Sequence, residues 1–366
     1  MNLATIQHIL PQFGIDPAHA EINPLGNGLI NHTYKITDHL RHINIVLQVV
    51  NTAVFHQPED IQHNYLIVRN YLAQTGSTIA LPRPLLTTKG EMGYTDDENR
   101  FWRGFEFIEN TYSPDLAHNT QLAYTAARCF GQFTHELNGS NIHLLREILP
   151  RFHDLGYRFE QFEEAILNAV PDRKIRAEEL VDGLLKKAYI LSFFNSILQN
   201  PDYRIRVMHH DTKVSNILFN KDSNEVVCPV DMDTVMPGRF YSDIGDMIRT
   251  MTCSVDENST DFNAIHIRKE YYKAILNGYL HEMAHSFTVE EMRHIHYSGL
   301  IMIYQQALRF MTDFLKGDVY YRTRYPDHNL DRARNQFCLL ESLEQFLKEE
   351  YNFPVRIPAQ NTVVPG

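Results

Sequence analysis

Positive charge is what this chain has least of: Lys and Arg together number 34 against 45 Asp and Glu, a formal net charge of -11. That balance argues against nucleic acid as a partner, which needs a clustered basic face. It leaves ATP open, because a few local cations and a metal decide that binding. No apolar run approaches membrane-spanning length. The first residues, Met1-Asn-Leu-Ala-Thr-Ile-Gln-His8, lack the basic region and long apolar run of a secretory signal. The four cysteines, Cys129, Cys228, Cys253 and Cys338, form no Cys-x-x-Cys. Buried reduced thiols and a cytoplasmic compartment are the expectation. Low-complexity segments and internal repeats are absent too. What is present is 366 residues with 43% hydrophobic and 22% charged content. That is the composition of a soluble globular protein long enough for two lobes.

Residues 3–14 read as a short amphipathic helix, with Leu3, Ile6, Ile9, Leu10 and Phe13 on one face and Gly14 closing it. Strands are expected on either side of Gly26-Asn-Gly28 and over the β-branched run His42–Val50. Pro58 opens a helix to about Leu72, and Phe101–Ile108 supplies a further strand. From about Ser113 the pattern turns helical, roughly 119–138, 144–169, 174–199, 262–285, 288–315 and 330–350, interrupted by strands within 204–231. The expected class is α+β. A β-rich N-terminal lobe over 1–110, with a hinge near 106–114, precedes a helical C-terminal lobe over 111–366.

Chemistry concentrates in Val207-Met-His-His-Asp211-Thr-Lys213-Val-Ser-Asn216 and in Val230-Asp231-Met-Asp233-Thr-Val-Met-Pro237. The first places an Asp, a Lys two residues on and an Asn five on in a short loop. The second delivers two carboxylates from the end of an apolar strand. Four hard oxygen donors and one ammonium suit a polyphosphate with magnesium. The Asp-to-Asn spacing of five reproduces a kinase catalytic loop, in which the Asp orients the attacking hydroxyl. The plainer reading is a polar hairpin, since Asp and Asn are ordinary turn residues.

With these motifs the chain resembles the aminoglycoside phosphotransferase and choline kinase superfamily, of protein-kinase-like fold, over nearly its whole length. Gly26-Asn-Gly-Leu-Ile-Asn31-His-Thr-Tyr34, His210–Asn216, Asp231–Gly238 and Leu308-Arg309-Phe-Met-Thr-Asp313…Tyr320-Tyr321 are most similar to N-acetylhexosamine 1-kinases. The resemblance implies Asp211 as the catalytic Asp and Lys213 as a contact to the γ-phosphoryl oxygens. It implies Asn216 and Asp231 as magnesium ligands, with Asp233 as a second or water-mediated one. Gly26, Asn27, Gly28 and Asn31 would line the nucleotide, and the backbone of Glu106 and Ile108 would read the adenine edge. The glycine pair reads equally as a plain hairpin turn. Asp243 would brace the catalytic loop, or serve as a helix N-cap. Arg309 and Tyr320 would line a sugar pocket; alternatively Arg309 pairs with Asp313 at i+4, and Tyr320 is core.

The implied activity is transfer from ATP, with Mg²⁺, to the anomeric hydroxyl of an N-acetylhexosamine or related sugar. The expected partners are that small sugar and ATP, with neither nucleic acid nor membrane; a monomer is compatible with this. Choline, an aminoglycoside or homoserine are the other acceptors within the same fold. Gln48 departs from the pattern, because most kinases carry there the strand-3 Lys that pairs with a helix Glu. Either magnesium and Lys213 carry the phosphate charge, or the chain is a non-catalytic nucleotide binder. His281-Glu282-Met-Ala-His285 is a literal His-Glu-x-x-His, the zinc-protease signature. It has no third ligand at the expected offset.

Overall fold

The computed structural model describes residues 3–26 and 30–354. Contacts divide the chain into two compact units. The first comprises residues 1–113, 139–150 and 216–237; the second comprises 114–138, 151–215 and 238–366.

In the first unit, α1 (Leu3–Ile9) runs into a 3₁₀ turn, Leu10–Phe13, ended by Gly14 at φ +71°. The expected helix over 3–14 tightens where Pro11 withdraws a backbone donor. Leu3 is exposed, whereas Ile6, Ile9, Leu10 and Phe13 are buried against the sheet. The strands are β1 (Ala20–Pro24), β2 (His32–Asp38), β3 (Ile43–Val50), β4 (Pro84–Leu85), β5 (Tyr94–Thr95) and β6 (Phe101–Glu106). They form one antiparallel sheet of order β1-β2-β3-β6-β4, with β5 also pairing β6.

Strand periodicity sorts its two faces. Tyr34, Ile36, Ile45, Leu47, Val49 and Trp102 pack on α1. The register Thr33↔Gln48↔Arg103 places three polar side chains in a row on the opposite face. The helix α2 (Pro58–Thr75) has Pro58 in its first turn with Glu59 and Asp60, and ends at Gly76 in the left-handed region.

A second small sheet of the same unit uses β7 (Thr111–Tyr112). After β8 (Arg206–Met208), which belongs to the other unit, come β9 (Ile217–Asn220) and β10 (Val226–Pro229). The order is β10-β9-β7. Because β9 hydrogen-bonds to β7, residues 216–237 join the N-terminal unit, although a cut at residue 110 assigns them to the helical lobe.

The second unit is helical: α3 (Thr120–Glu136), α4 (Leu155–Asn168), α5 (Pro171–Lys186), α6 (Tyr189–Gln199), α7 (Tyr241–Thr252), α8 (Lys269–Met283), α9 (Val289–Arg293), α10 (Tyr297–Lys316) and α11 (His328–Tyr351). Side chains cap several of them. Asn119 accepts from Leu122 N at 2.7 Å, and Asp154 from Tyr157 N at 2.9 Å. The expected helix over 144–169 begins only after Asp154. Those expected over 174–199 and 288–315 each divide in two, and α7 is the helix expected at Asp243, which sits in its first turn. Close approach of α3 and α8 depends on two glycines. A Cβ on Gly131 would sit 2.8 Å from the Tyr279 carbonyl, and one on Gly278 would sit 2.3 Å from that of Tyr124. The fold is kinase-like, an antiparallel sheet unit with a helical unit, as the sequence implies. Among the described residues no helix is long and apolar enough to cross a membrane.

Candidate active site

Within the first unit, Asn216 and Asp231 stand together at the open end of the β9–β10 hairpin. Pro229 pairs with Ile217, and Val230 N donates to Asn216 O at 2.9 Å, so Asp231 follows one residue beyond. Asn216 is buried; Asp231 is exposed, with φ +61°. A non-glycine residue held in the left-handed region costs energy, and such positions concentrate at functional sites. An exposed carboxylate beside an amide, both hard oxygen donors, fits magnesium, which keeps several waters and phosphate oxygens for itself.

Asp233 has a different environment. It is 3% exposed; its Oδ1 lies 2.6 Å from Arg103 Nη2, and its Oδ2 accepts from Asn31 Nδ2 at 2.7 Å. Asp233, expected as a second or water-mediated ligand, is thus a carboxylate already paired with a buried guanidinium. Asn31 is engaged on both sides, since its Oδ1 accepts from Asn51 N at 3.0 Å. Gln48 donates to Thr33 Oγ1 at 2.9 Å and accepts from Arg103 Nε at 3.0 Å.

On α2, Asn64 links the helix to two backbone carbonyls. It is fully buried and donates to Val235 O at 2.9 Å and Arg146 O at 2.8 Å. Gly26 takes φ +74°, which only glycine adopts without penalty; Asn27 and Gly28 lie outside the described residues. Glu106 ends β6, with its carboxylate accepting from Arg83 N at 2.7 Å, and Ile108 O accepts from Thr111 Oγ1 at 2.7 Å.

In the second unit the loop that carries Asp211 is fastened to the first turns of α7. The N–H groups of His209 and His210 donate to Asp243 Oδ2 and Oδ1 at 3.0 and 2.8 Å. Thr212 N donates to Asp246 Oδ2 at 2.9 Å, and Thr212 Oγ1 to Asp243 O at 2.7 Å. His210 sits at φ +66°, so the loop is held in a conformation that needs these anchors. Burial pushes the Asp243 carboxyl up to about 7, against the two N–H donors that favour its ionised form.

Lys213 Nζ lies 2.8 Å from Asp211 Oδ1. That carboxylate is the main reason the ammonium is held above its ordinary range. Further carboxylates of this unit are matched by arginines that the sequence motifs did not single out. Asp246 pairs with Arg249 at 2.9 Å, Arg249 with Glu257 at 3.2 Å, and Glu257 with Arg332. Burial raises the Asp246 pKa, with Arg249 opposing it. Burial also works to raise Glu257, but Arg249 and Arg332 outweigh it and hold the group below the usual range.

The network continues to the residues assigned to the acceptor. The Arg332 guanidinium lies 5.2 Å from the Tyr321 ring, and that of Arg309 lies 5.6 Å from Tyr321, 5.9 Å from Tyr320 and 5.8 Å from Phe152. Arg309 donates to Gln306 Oε1 at 3.3 Å. The alternative partner, Asp313, is engaged otherwise: its oxygens accept from Tyr320 N, Tyr321 N and Asn329 Nδ2 at 2.8, 2.9 and 2.9 Å. Tyr320 is 62% exposed and packs edge-on against Tyr321, so it is not a core residue.

The His-Glu-x-x-His stretch does not keep its two histidines on one helix. α8 ends at Met283, leaving His285 in the following turn, and Glu282 is paired with Arg128 at 2.7 Å. Among the described residues no three His, Cys, Asp or Glu side chains gather as a metal site would require.

Residues 21–288 match the model of the phosphotransferase enzyme family. Among solved structures, the microcompartment-associated aminopropanol kinase superposes with a TM-score of 0.65 at 16% identity, covering 97% of this chain and 100% of that one. Spectinomycin phosphotransferase, solved with ADP and spectinomycin, gives 0.59 at 12% identity over 93% and 98%. Choline kinase from Cryptosporidium parvum gives 0.57 at 16% identity over 96% and 98%.

Proposed function

Because the chain belongs to the phosphotransferase enzyme family and is a small-molecule phosphotransferase of kinase-like fold, we propose that it transfers the γ-phosphoryl group of ATP to the anomeric hydroxyl of an N-acetylhexosamine-type sugar. ADP and a sugar 1-phosphate are the products. Asp211 orients the acceptor hydroxyl and takes its proton as the new O–P bond forms and the bond to the β-phosphate oxygen breaks. Lys213 meets the γ-phosphoryl oxygens, where charge spreads in a loose transition state. Asn216 and Asp231 hold magnesium, which when bound neutralises the developing charge on the phosphates. Gly26 and its neighbours approach the phosphates through backbone N–H groups. The Glu106–Ile108 backbone takes the adenine edge.

One observation favours a hydroxyl-rich neutral acceptor over the cationic ones in the names of several structural neighbours. Two carboxylates of the second unit, the buried Asp246 and the half-buried Glu257, already face Arg249 and Arg332. Arg309 adds a guanidinium that has no carboxylate partner among the described residues. A choline or aminoglycoside cation wants carboxylates or an aromatic cage free of competing cations. Sugar hydroxyls instead gain from a planar, multi-donor guanidinium, and hydrogen-bonded hydroxyls are where strong discrimination originates.

The test is an acceptor screen with ATP and Mg²⁺ over N-acetylglucosamine, N-acetylgalactosamine, galactose, choline and kanamycin, with the phosphorylated position read by phosphorus NMR. A doublet from an anomeric phosphate on a hexosamine is the expected result. A preference for choline or kanamycin sinks the sugar assignment and leaves the fold standing.

Lys213→Ala is expected to lower turnover by about 10²-fold, the scale of losing one preorganised donor to the transition state. Steady-state kinetics against ATP checks it; a variant within twofold of wild type removes Lys213 from the mechanism.

A further inference from the structure

We propose that Arg103 is the positioning residue of the nucleotide site, standing in from the neighbouring strand for the lysine that Gln48 does not supply. The inference rests on the kinase reading above. Its basis is a chain of side chains confined to one unit. Thr33, Gln48 and Arg103 lie side by side on one face of β2, β3 and β6, because the register pairs Thr33 with Gln48 and Gln48 with Arg103. Gln48 accepts from Arg103 Nε at 3.0 Å, which turns Nη2 onto Asp233 Oδ1 at 2.6 Å. Asn31, just ahead of β2, reaches the other oxygen of Asp233 at 2.7 Å. Arg103 and Asp233 are both almost wholly buried.

Three parts expected to handle the triphosphate and its metal are thereby tied to one guanidinium: Asn31 ahead of β2, strand β3, and the turn that carries Asp231. A kinase lysine–glutamate pair ties a strand to a helix. Here the helix tie is made without charge, by Asn64 donating to Val235 O at 2.9 Å. The strand tie is Arg103 with Asp233. Guanidinium chemistry suits this task, since its planar fork can serve Gln48 and Asp233 together, whereas an ammonium is a single point charge. Because Asp233 neutralises Arg103, the pair delivers geometry rather than net charge. The charge facing the triphosphate is left to magnesium and Lys213.

A consequence runs against intuition. Installing the usual lysine by Gln48→Lys should harm the site: it removes the acceptor of Arg103 Nε and sets a second cation beside it. The experiment measures Mg·ADP affinity by calorimetry and the melting temperature without ligand, on the full chain. The variants are Gln48→Lys, Arg103→Gln and Arg103→Gln/Asp233→Asn.

Gln48→Lys and Arg103→Gln are expected to weaken Mg·ADP binding about tenfold or more, the usual scale for residues that orient metal ligands. Arg103→Gln alone should also melt lower, because it leaves Asp233 buried and unpaired. In the double variant the melting temperature should recover while the affinity does not, a separation that a purely stabilising pair would not give. Tighter Mg·ADP binding by Gln48→Lys, unchanged binding by Arg103→Gln, or joint recovery of both readouts in the double variant overturns the proposal alone. Wild type that fails to bind Mg·ADP overturns the kinase reading and this inference with it.

Discussion

Asp211→Asn is expected to lower turnover by about 10²–10⁴-fold, the range associated with losing a positioned general base, while Mg·ADP affinity stays within a few-fold of wild type. The substitution is nearly isosteric, and the loop's backbone is held by other residues: His209 and His210 N–H on Asp243, and Thr212 N on Asp246. Those anchors persist in the variant, so a loss of turnover reports on the carboxylate and not on a collapsed loop. An amide cannot take the proton of the acceptor hydroxyl, and it leaves Lys213 without the charge it faces at 2.8 Å. The check is a pair of measurements on one preparation, kcat with the best acceptor of the screen and calorimetric titration with Mg·ADP. Near-wild-type turnover in Asp211→Asn would remove this residue from the chemistry and return the loop to the polar-hairpin reading.

The largest effect on stability should come from a buried pair anchored at the start of β8. Arg206→Met is expected to destabilise the protein by about 3–5 kcal/mol, the cost of breaking a buried ion pair on one side. Arg206 Nη1 and Nη2 lie 2.6 and 2.8 Å from Glu291 Oε1 and Oε2, in a bidentate arrangement, and Glu291 is fully buried. Glu291 also accepts from Arg204 N at 2.9 Å and closes the capping box of α9 with Thr288. Without the guanidinium, an anion remains in the interior with only backbone donors around it.

Adding Glu291→Gln to Arg206→Met should recover part of the loss by removing that charge while keeping an acceptor. Urea unfolding of the two variants and wild type is the measurement. A single-variant cost below about 1 kcal/mol would place the pair with exposed salt bridges, contrary to its burial. Since β8 leads from Arg206 directly toward the His209–Thr212 loop, loss of this anchor should also lower activity at temperatures where the fold itself survives.

Much of the fold can be read along the chain because its signals are local. Pro58 and Gly76 delimit α2, and Asn119 and Asp154 cap α3 and α4 through contacts three residues away. The alternation in β3 already separates Ile45, Leu47 and Val49 from Asn44, Val46 and Gln48. The helices that divided or started late did so at breaks a periodicity does not mark, such as the turn between Arg293 and Tyr297. For the same reason His281 and His285 looked like neighbours on one helix until α8 ended between them. Arg309 and Asp313 have the spacing of a helix-face pair, yet Asp313 is occupied by the loop at Tyr320 and Tyr321.

By itself, then, the sequence determines the kinase-like class and the phosphotransferase family, because Asp211, Lys213, Asn216 and Asp231 sit at fixed offsets within short continuous loops. Only tertiary structure decides which charges meet. Arg103 and Asp233 are 130 residues apart and become partners through the β3–β6 register and the turn that follows β10. Glu257 finds Arg332 across 75 residues in the same way. A Coulomb interaction between side chains depends on distance and burial in three dimensions, and neither is a property of spacing along the chain. The absence at Gln48 was therefore visible in the sequence, whereas the guanidinium beside it was fixed by strand pairing.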